Sequence, residues 1–123
     1  MHRFLTVTLV LTAFALPLVC QAGWQEEKTK IEKLIKSVEG LEANFVRNGK
    51  EYPPKEAASH LKRKWERAMD SWFAPKKETW TASMFIEKVA SESSLSGKPY
   101  LIKFPDGRTQ TAKEWLKIQL SKQ

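Results

Sequence analysis

The sequence predicts a helix-rich small single domain of the α+β class, with about four helices and a short antiparallel β-hairpin. Apolar residues recur at spacings of three and four in four segments of the chain, which is typical of amphipathic helices. One later run alternates instead, with Tyr100, Ile102 and Phe104 on one side, and leads into the turn residues Pro105-Asp106-Gly107. The 123 residues contain no internal repeat or low-complexity tract, so we expect a single core.

The first 22 residues have the pattern of a secretory signal peptide. A short basic start is followed by an apolar run from Phe4 to Leu18, and a small residue, Ala22, stands where signal peptidase cleaves. The run is shorter than the roughly 20 apolar residues of a membrane span. We therefore expect cleavage after Ala22, a mature domain of residues 23–123 without a transmembrane span, and a periplasmic or secreted location.

The predicted cleavage changes the chemistry that is available to the protein. It removes Arg3 and the only cysteine, Cys20, which leaves 101 residues with 20 Lys and Arg against 14 Asp and Glu. A chain without cysteine and with one histidine, His60, has no thiolate site and no common metal motif, so we expect no cofactor and no metal. The positive charge favours an anionic ligand or an acidic envelope protein, and the location argues against nucleic acid.

The first helix is predicted over residues 25–41. Its apolar positions share one face and are Ile31, Leu34, Ile35, Val38 and Leu41. Glutamates stand early and lysines late, as the helix dipole favours.

The Asn48-Gly49 pair that follows lies between two short half-apolar runs and predicts a tight turn, because both residues tolerate a positive φ.

A second helix is predicted from Pro54 to about Ser71, since proline suits the first turn of a helix. Its buried face is expected to contain Ala58, Leu61, Trp65, Ala68, Met69 and Trp72. His60 lies on the opposite side in an exposed column with Glu56 and Lys64. This position indicates that the histidine is not a routine core residue.

Two further helices follow. Thr81 is predicted to cap a helix over residues 82–91, which a hydroxyl-rich loop ending at Gly97 follows. The strand that begins at Tyr100 turns at Pro105-Asp106-Gly107 and pairs with residues 108–110. Thr111 and Glu114 then form a capping-box pattern that opens the last helix.

Short segments between the turn and the last helix form a set that is similar to a known family. They are Phe45-Val46-Arg47-Asn48-Gly49, Tyr52, Ala57-Ala58, His60-Leu61, Lys64, Phe85-Ile86, Ala90-Ser91, Ser93-Ser94, Ser96-Gly97, Tyr100 and Trp115-Leu116. The chain resembles the YfeK-like family of small uncharacterised bacterial proteins. The resemblance implies a periplasmic or secreted location and a common fold, and it brings no established activity. Family members carry a cysteine before the Arg-Asn-Gly segment, where this chain has Leu41 to Asn44.

The candidate site combines polar residues that packing alone does not require. Its members are Arg47, Asn48, His60, Lys64, Ser91, Ser93, Ser94 and, at its edge, Tyr100. In this hypothesis Arg47 and Lys64 hold an anionic group, and Asn48 and the serines donate hydrogen bonds. His60 makes the affinity depend on pH near ~6.5. The function that we expect is that of a non-enzymatic binding or accessory domain for an anionic ligand or an envelope partner.

The alternative function is that of a small periplasmic hydrolase in which His60 deprotonates a serine of the loop after the third helix. No Gly-x-Ser-x-Gly elbow surrounds these serines, so no catalytic residue is assigned. A basic stripe along the second helix is a further candidate surface, because Trp72, Phe73 and Trp80 stand near its end. The stripe consists of Lys55, Lys62, Arg63, Lys64 and Arg67 and is continued by Lys76 and Lys77. Charge beside flat aromatic rings is typical of glycan and membrane-surface sites.

Overall fold

A computed structural model describes residues 16–71 and 76–123, and it has the helix-rich α+β fold that the sequence predicts. The elements are α1 (Leu16–Glu39), β1 (Asn44–Arg47), β2 (Lys50–Tyr52), α2 (Pro54–Asp70), α3 (Ala82–Lys88), β3 (Leu101–Lys103), β4 (Thr109–Thr111) and α4 (Ala112–Ser121). A single 3₁₀ turn, Lys77–Thr79, precedes α3.

The predicted signal peptide falls largely outside the described residues, which begin at Leu16 with the start of α1. Trp72 and Phe73, which the sequence places near the basic stripe, also lie outside them. Among the helices of the described ranges, none is long and apolar enough to cross a membrane.

The sheet is larger than the single hairpin that the sequence predicts. Four antiparallel strands lie in the order β2-β1-β3-β4, because the predicted β3–β4 hairpin pairs along β1 with a second hairpin, β1–β2. The Asn48-Gly49 turn closes that second hairpin with φ angles of 51° and 76°. Positive φ at both central residues gives the turn a twist that matches the strands, so this dipeptide determines where the chain reverses.

The helices cover one face of the sheet and surround α1. This helix packs against α2, α3 and α4, while α2 also contacts β1 and α4 contacts β4. The core contains apolar positions predicted for the first two helices and the strand, together with apolar residues of the later segments: Ile31, Leu34, Val38, Ala58, Leu61, Trp65, Ala82, Phe85, Ile86, Val89, Ala90, Ile102, Ala112 and Leu116. Other apolar residues pack against this core and are only partly buried: Ile35, Leu41, Ala68, Met69, Phe104, Trp115 and Leu120.

Local signals predict the starts of α2, α3 and α4, but the predicted start of α1 is wrong, because α1 begins at Leu16 and not at residue 25. The Thr81 side chain accepts a hydrogen bond from the Met84 amide at 3.1 Å, and Thr111 accepts one from the Glu114 amide at 3.2 Å, as the capping patterns predict. Two predicted ends are too late, since α1 ends at Glu39 instead of residue 41 and α3 at Lys88 instead of residue 91. Apolar residues continue past both helices because the turns that follow them are packed against the core as well.

Trp80 corrects the prediction of an aromatic surface at the end of the basic stripe. Its side chain is only 2% exposed and belongs to the core, so its ring is not available to an external ligand. Trp24, which the sequence reading does not assign to the core, is also buried. Large aromatic area compensates for the small size of a domain that has no cysteine after residue 20.

We expect Gly49→Ala to lower the free energy of unfolding by about 1–2 kcal/mol, because a Cβ is strained at a φ of +76° although nothing lies within 4 Å of it. Gly40→Ala is the matched control, since Gly40 has no positive φ and its nearest neighbour is an ordinary 3.7 Å away. Urea denaturation of both variants measures the difference. Equal stability of the two would contradict the role assigned to the turn.

Candidate functional site

The alternation of β1 directs Arg47 toward α2. Phe45 is buried and pairs with Ile102 of β3, so both side chains point to the helix-covered face of the sheet. Arg47 stands two residues after Phe45 and Tyr100 two residues before Ile102, which places both on the same face. The strand period thus brings an arginine and a tyrosine together under α2.

Two side chains of α2 meet the tyrosine. His60 Nε2 lies 3.3 Å from the Tyr100 hydroxyl, and Lys64 Nζ donates a hydrogen bond to the same hydroxyl at 3.1 Å. Lys64 Nζ also donates to the carbonyl of Glu92 at 2.6 Å and lies 4.9 Å from the centre of the Tyr100 ring. One turn of α2 is therefore tied both to the sheet and to the loop that follows α3.

Tyr100 lies at the centre of this group, although the sequence reading places it at the edge. The residue is 1% exposed, and its ring stands 5.1 Å from that of Phe45 and 6.2 Å from that of His60. Its amide donates to the carbonyl of Ser91 at 3.0 Å, while its carbonyl accepts from the amide of Ala112 at 2.8 Å. Backbone and side chain together fix its position.

The tip of the β1–β2 hairpin contacts the serine-rich loop, as the candidate site requires. Asn48 Nδ2 donates to the hydroxyl of Ser93 at 3.2 Å, and the Ser96 hydroxyl donates to Asn48 Oδ1. Ser93 is 1% exposed. The hairpin turn and the serine-rich loop are therefore on the same end of the domain.

A small cavity opens between β1 and α2, and we call it the β1–α2 cavity. It is lined by Phe45, Arg47, Tyr52, Glu56, Ala57, His60 and Arg63. Its volume is about 80 Å³, which is room for several water molecules and far less than the roughly 300 Å³ of the smallest drug-sized pockets. The cavity suits one terminal chemical group.

One residue that lines the cavity has a buried polar atom without a partner in the described part of the chain. The Nε atom of Arg47 is buried and forms no hydrogen bond in the part of the chain that the structure describes. A buried donor without an acceptor is costly, and more so when it carries charge. Arg47 therefore lines the cavity and also carries a buried N–H that has no acceptor among the described residues.

The surrounding charges shift the pKa values of the neighbouring groups. Burial, followed by the charges of Arg47, Lys64, Arg63 and Arg67, lowers the pKa of His60 to about 4. Burial and Arg47 also lower the pKa of Lys64, which Glu92 partly opposes. This corrects the expectation of a titration near pH ~6.5, because His60 is neutral at that pH.

Burial also raises the pKa of the Tyr100 hydroxyl, although the charge of Arg47 acts in the opposite direction. The hydroxyl therefore keeps its proton at neutral pH. A protonated tyrosine and a neutral histidine leave the arginines and Lys64 as the positively charged groups of the site, beside the carboxylate of Glu56.

The structure corrects the exposed column on α2. His60 and Lys64 are half-buried and packed against the sheet, while Glu56 is exposed. Helical periodicity places them away from the face that α1 covers, but α2 has a second contact side, toward β1. The predicted exposure is therefore wrong for His60 and Lys64 and confirmed for Glu56.

The predicted serines do not share one role. The Ser91 hydroxyl donates to the carbonyl of Glu87 at 2.7 Å, which satisfies the end of α3. Ser94 is exposed, and within the described ranges its side chain forms no hydrogen bond with the other site residues. Among these residues His60 contacts Tyr100, and none of its hydrogen bonds joins it to a serine.

Sequence reasoning missed several members of the site. Phe45, Tyr52, Glu56 and Arg63 line the β1–α2 cavity, and Ser96 contributes to the hairpin contact. The signal for Arg63 was its spacing of three from His60, which places both on one side of α2. Tyr52 could have been found from the Asn48-Gly49 turn, because a tight turn at this dipeptide pairs Tyr52 with Phe45 across the hairpin.

The described residues contain no group of three or more His, Cys, Asp or Glu side chains that could hold a metal ion. The cavity contributes two guanidinium groups and one imidazole against a single carboxylate, Glu56. Such a set consists mainly of donors, which suits an anion.

Comparison with known proteins gives a family but no activity. A model described as a family of unknown function, DUF5329, matches residues 25–123. The chain is also similar to the uncharacterized protein YfeK of Salmonella typhimurium strain LT2, with 36% identity over 75 residues. That match covers 60% of this chain and 57% of the relative, so the matched part spans little more than half of that protein. No solved structure matches the chain.

We expect the free energy of unfolding to fall as the pH is lowered from 6.5 to 4. The unfolded chain takes up a proton on His60 near pH 6.5, whereas the folded chain does so only near pH 4, so the unfolded state binds more protons within this window. The loss is about 2 kcal/mol once solvent screening of this half-buried group is included. Urea titrations at several pH values measure it.

The control for this experiment is His60→Gln, which removes the titrating group and keeps a polar side chain. Its stability should change little between pH 6.5 and 5. The lowered pKa values of Glu87 and Asp106 affect stability only at lower pH. Parallel stability curves for the variant and the parent protein would refute the assignment to His60.

Proposed function

The chain belongs to the DUF5329 family of unknown function, and we propose that it is a non-enzymatic binding domain that holds an anionic group in the β1–α2 cavity. The observation that carries the proposal is the buried Nε–H of Arg47, which has no hydrogen-bond partner within the described part of the chain. An anionic oxygen in the cavity would satisfy this donor. A guanidinium group presents its Nε–H beside an Nη–H, which matches two oxygens of a carboxylate or phosphate.

The charge around the cavity supports an anion over a cation. Arg47 and Arg63 line it, and the positive charges of Lys64 and Arg67 act on His60 from nearby. Four cations near one half-buried histidine repel one another, and a bound anion reduces that repulsion. Glu56 is the single acidic residue among the cavity residues.

The size of the cavity limits what can enter. About 80 Å³ accepts a terminal phosphate or carboxylate but not a complete sugar or nucleotide. Phe45, Tyr52 and Ala57 contribute apolar surface to the walls, and a hydrogen bond beside such surface is stronger than one in open water. The rest of a larger ligand would lie outside, along the basic residues of α2.

The location that we propose is the periplasm or the extracellular space, after removal of residues 1–22. The support is the basic start, the apolar run and the small residue at position 22. Envelope molecules with terminal anionic groups, or proteins with acidic surfaces, are the partners that this location offers. The histidine–serine contact that a hydrolase needs is not among the hydrogen bonds of the described residues, so no specific observation favours that alternative.

We expect Arg47→Gln to weaken the binding of inorganic phosphate or acetate about 10-fold to 100-fold, because charge-assisted hydrogen bonds contribute roughly 1.5–3 kcal/mol. Binding is followed by NMR through the Arg47 Nε–H and the His60 ring signals. Arg67→Gln is the matched control, since it removes the same charge from an exposed position that does not line the cavity. Unmoved signals in the parent protein, or equal affinities of the two variants, would disprove the binding site.

We also expect the protein exported by a bacterial host to begin at Gly23. Intact mass spectrometry of the periplasmic fraction should show the loss of residues 1–22. Ala22→Asp serves as the control, because it removes the small residue at the cleavage position and should leave the leader attached. An exported parent protein that retains residues 1–22 would exclude the proposed processing.

A further inference from the structure

The Tyr100 hydroxyl has two neighbours, and their chemistry determines where its hydrogen points. Lys64 Nζ can only donate, so the hydroxyl oxygen accepts the hydrogen bond that joins the two atoms at 3.1 Å. The hydroxyl hydrogen then needs an acceptor of its own, because the residue is 1% exposed. The remaining partner of the hydroxyl in the described part of the chain is His60 Nε2, at 3.3 Å.

This requirement selects one tautomer of His60. If Nε2 accepts the Tyr100 hydroxyl hydrogen, the proton of the neutral ring must be on Nδ1. In the opposite tautomer Nε2–H would donate to Tyr100, and the buried hydroxyl hydrogen would have no acceptor. The hydrogen-bond chain therefore runs from Lys64 through Tyr100 to His60.

The other ring nitrogen remains free for a ligand. His60 Nδ1 forms no hydrogen bond in the described ranges, and it is not among the buried polar atoms that lack a partner. His60 also lines the β1–α2 cavity, whereas Tyr100 does not. The nitrogen that carries the proton is thus the one that is not occupied by Tyr100.

We propose that Tyr100, oriented by Lys64, is a positioning residue that holds His60 as a neutral Nδ1–H donor for a phosphate group in the β1–α2 cavity. The choice of ligand rests on the proposed function, while the tautomer does not. Phosphate fits better than carboxylate because two guanidinium groups that each donate two hydrogen bonds exceed, together with His60, the about four lone-pair sites of a carboxylate. A neutral imidazole adds a hydrogen bond without adding another positive charge beside the arginines.

The tautomer is tested first without ligand. Long-range ¹H–¹⁵N spectra of His60 at pH 7 should show a protonated Nδ1 and an unprotonated Nε2. In Tyr100→Phe, which keeps the ring, this preference should be lost. Tyr52→Phe is the matched control, since Tyr52 is the other tyrosine of the chain and lines the cavity without a hydrogen bond to His60.

A protonated Nε2 in the parent protein overturns the proposal, and this measurement needs no variant to fold. An unchanged tautomer in a folded Tyr100→Phe protein overturns it as well. Folding of that variant is checked by the amide spectrum of the core.

The ligand class is tested by titrating inorganic phosphate and acetate into the same proteins. Tyr100→Phe should weaken the binding of phosphate about threefold to tenfold, as the loss of one oriented neutral hydrogen bond implies. It should weaken the binding of acetate less. Equal losses for both anions would overturn the preference for phosphate. A parent protein that binds neither anion would refute the proposed function, whereas a protonated Nδ1 would still establish the role of Tyr100.

Discussion

Burial of the Tyr100 hydroxyl between the sheet and α2 is the constraint on which the arrangement of this domain depends. The tyrosine joins β3 to the loop after α3 and to the start of α4 through its backbone hydrogen bonds with Ser91 and Ala112. A buried hydroxyl requires partners, and α2 supplies both in one turn, His60 and Lys64. The polar side of α2 is therefore packed against the sheet, and the rotation of this helix is fixed by chemistry as well as by apolar burial.

The same arrangement concentrates positive charge in a place where it lowers stability. Burial and neighbouring cations favour the neutral forms of His60 and Lys64, which is a cost of holding them there. Lys64 recovers part of that cost through the carbonyl of Glu92 at 2.6 Å. Arg47 has no such compensation at Nε within the described residues. The anion that we propose for the cavity would stabilise the folded domain, because it would pair with this donor and with the clustered cations.

Local sequence signals predict much of the fold because three of the four helices and the turn between β1 and β2 carry a start or turn signal of their own. Pro54, Thr81 and Thr111 mark helix starts, and Asn48-Gly49 marks a reversal of the chain; all four act where the sequence places them. The β1–β2 hairpin itself was not predicted, because its strands of four and three residues are too short to show a clear alternation. The end of α3 was missed for a related reason, since apolar residues bury equally well in a helix and in the packed turn after it.

The candidate site was predicted in part. Helical periodicity separates apolar from polar positions, so it singled out His60 and Lys64, but it does not say which element covers the polar side. The central position of Tyr100 follows from a contact between α2 and a residue 40 positions later, which no local pattern contains. The low pKa of His60 follows from burial and from the charge of Arg47 on β1, in addition to the neighbouring cations of α2. The cavity residues Phe45 and Glu56 were missed because each is explained without a ligand. Phe45 belongs to the core, and Glu56 is an acidic residue in the first turn of a helix.

The contact between Asn48 and the serine-rich loop has a consequence for motion. Its hydrogen bonds to Ser93 and Ser96 join residues 45 and 48 positions apart, so the two loops are ordered by each other. Neither loop can move away from the other without breaking these hydrogen bonds. Amide hydrogens in the Asn48-Gly49 turn and in the loop from Ser93 to Gly97 should therefore exchange with solvent through one shared opening event. The wall of the cavity and the loop beside it then behave as a single cooperative unit.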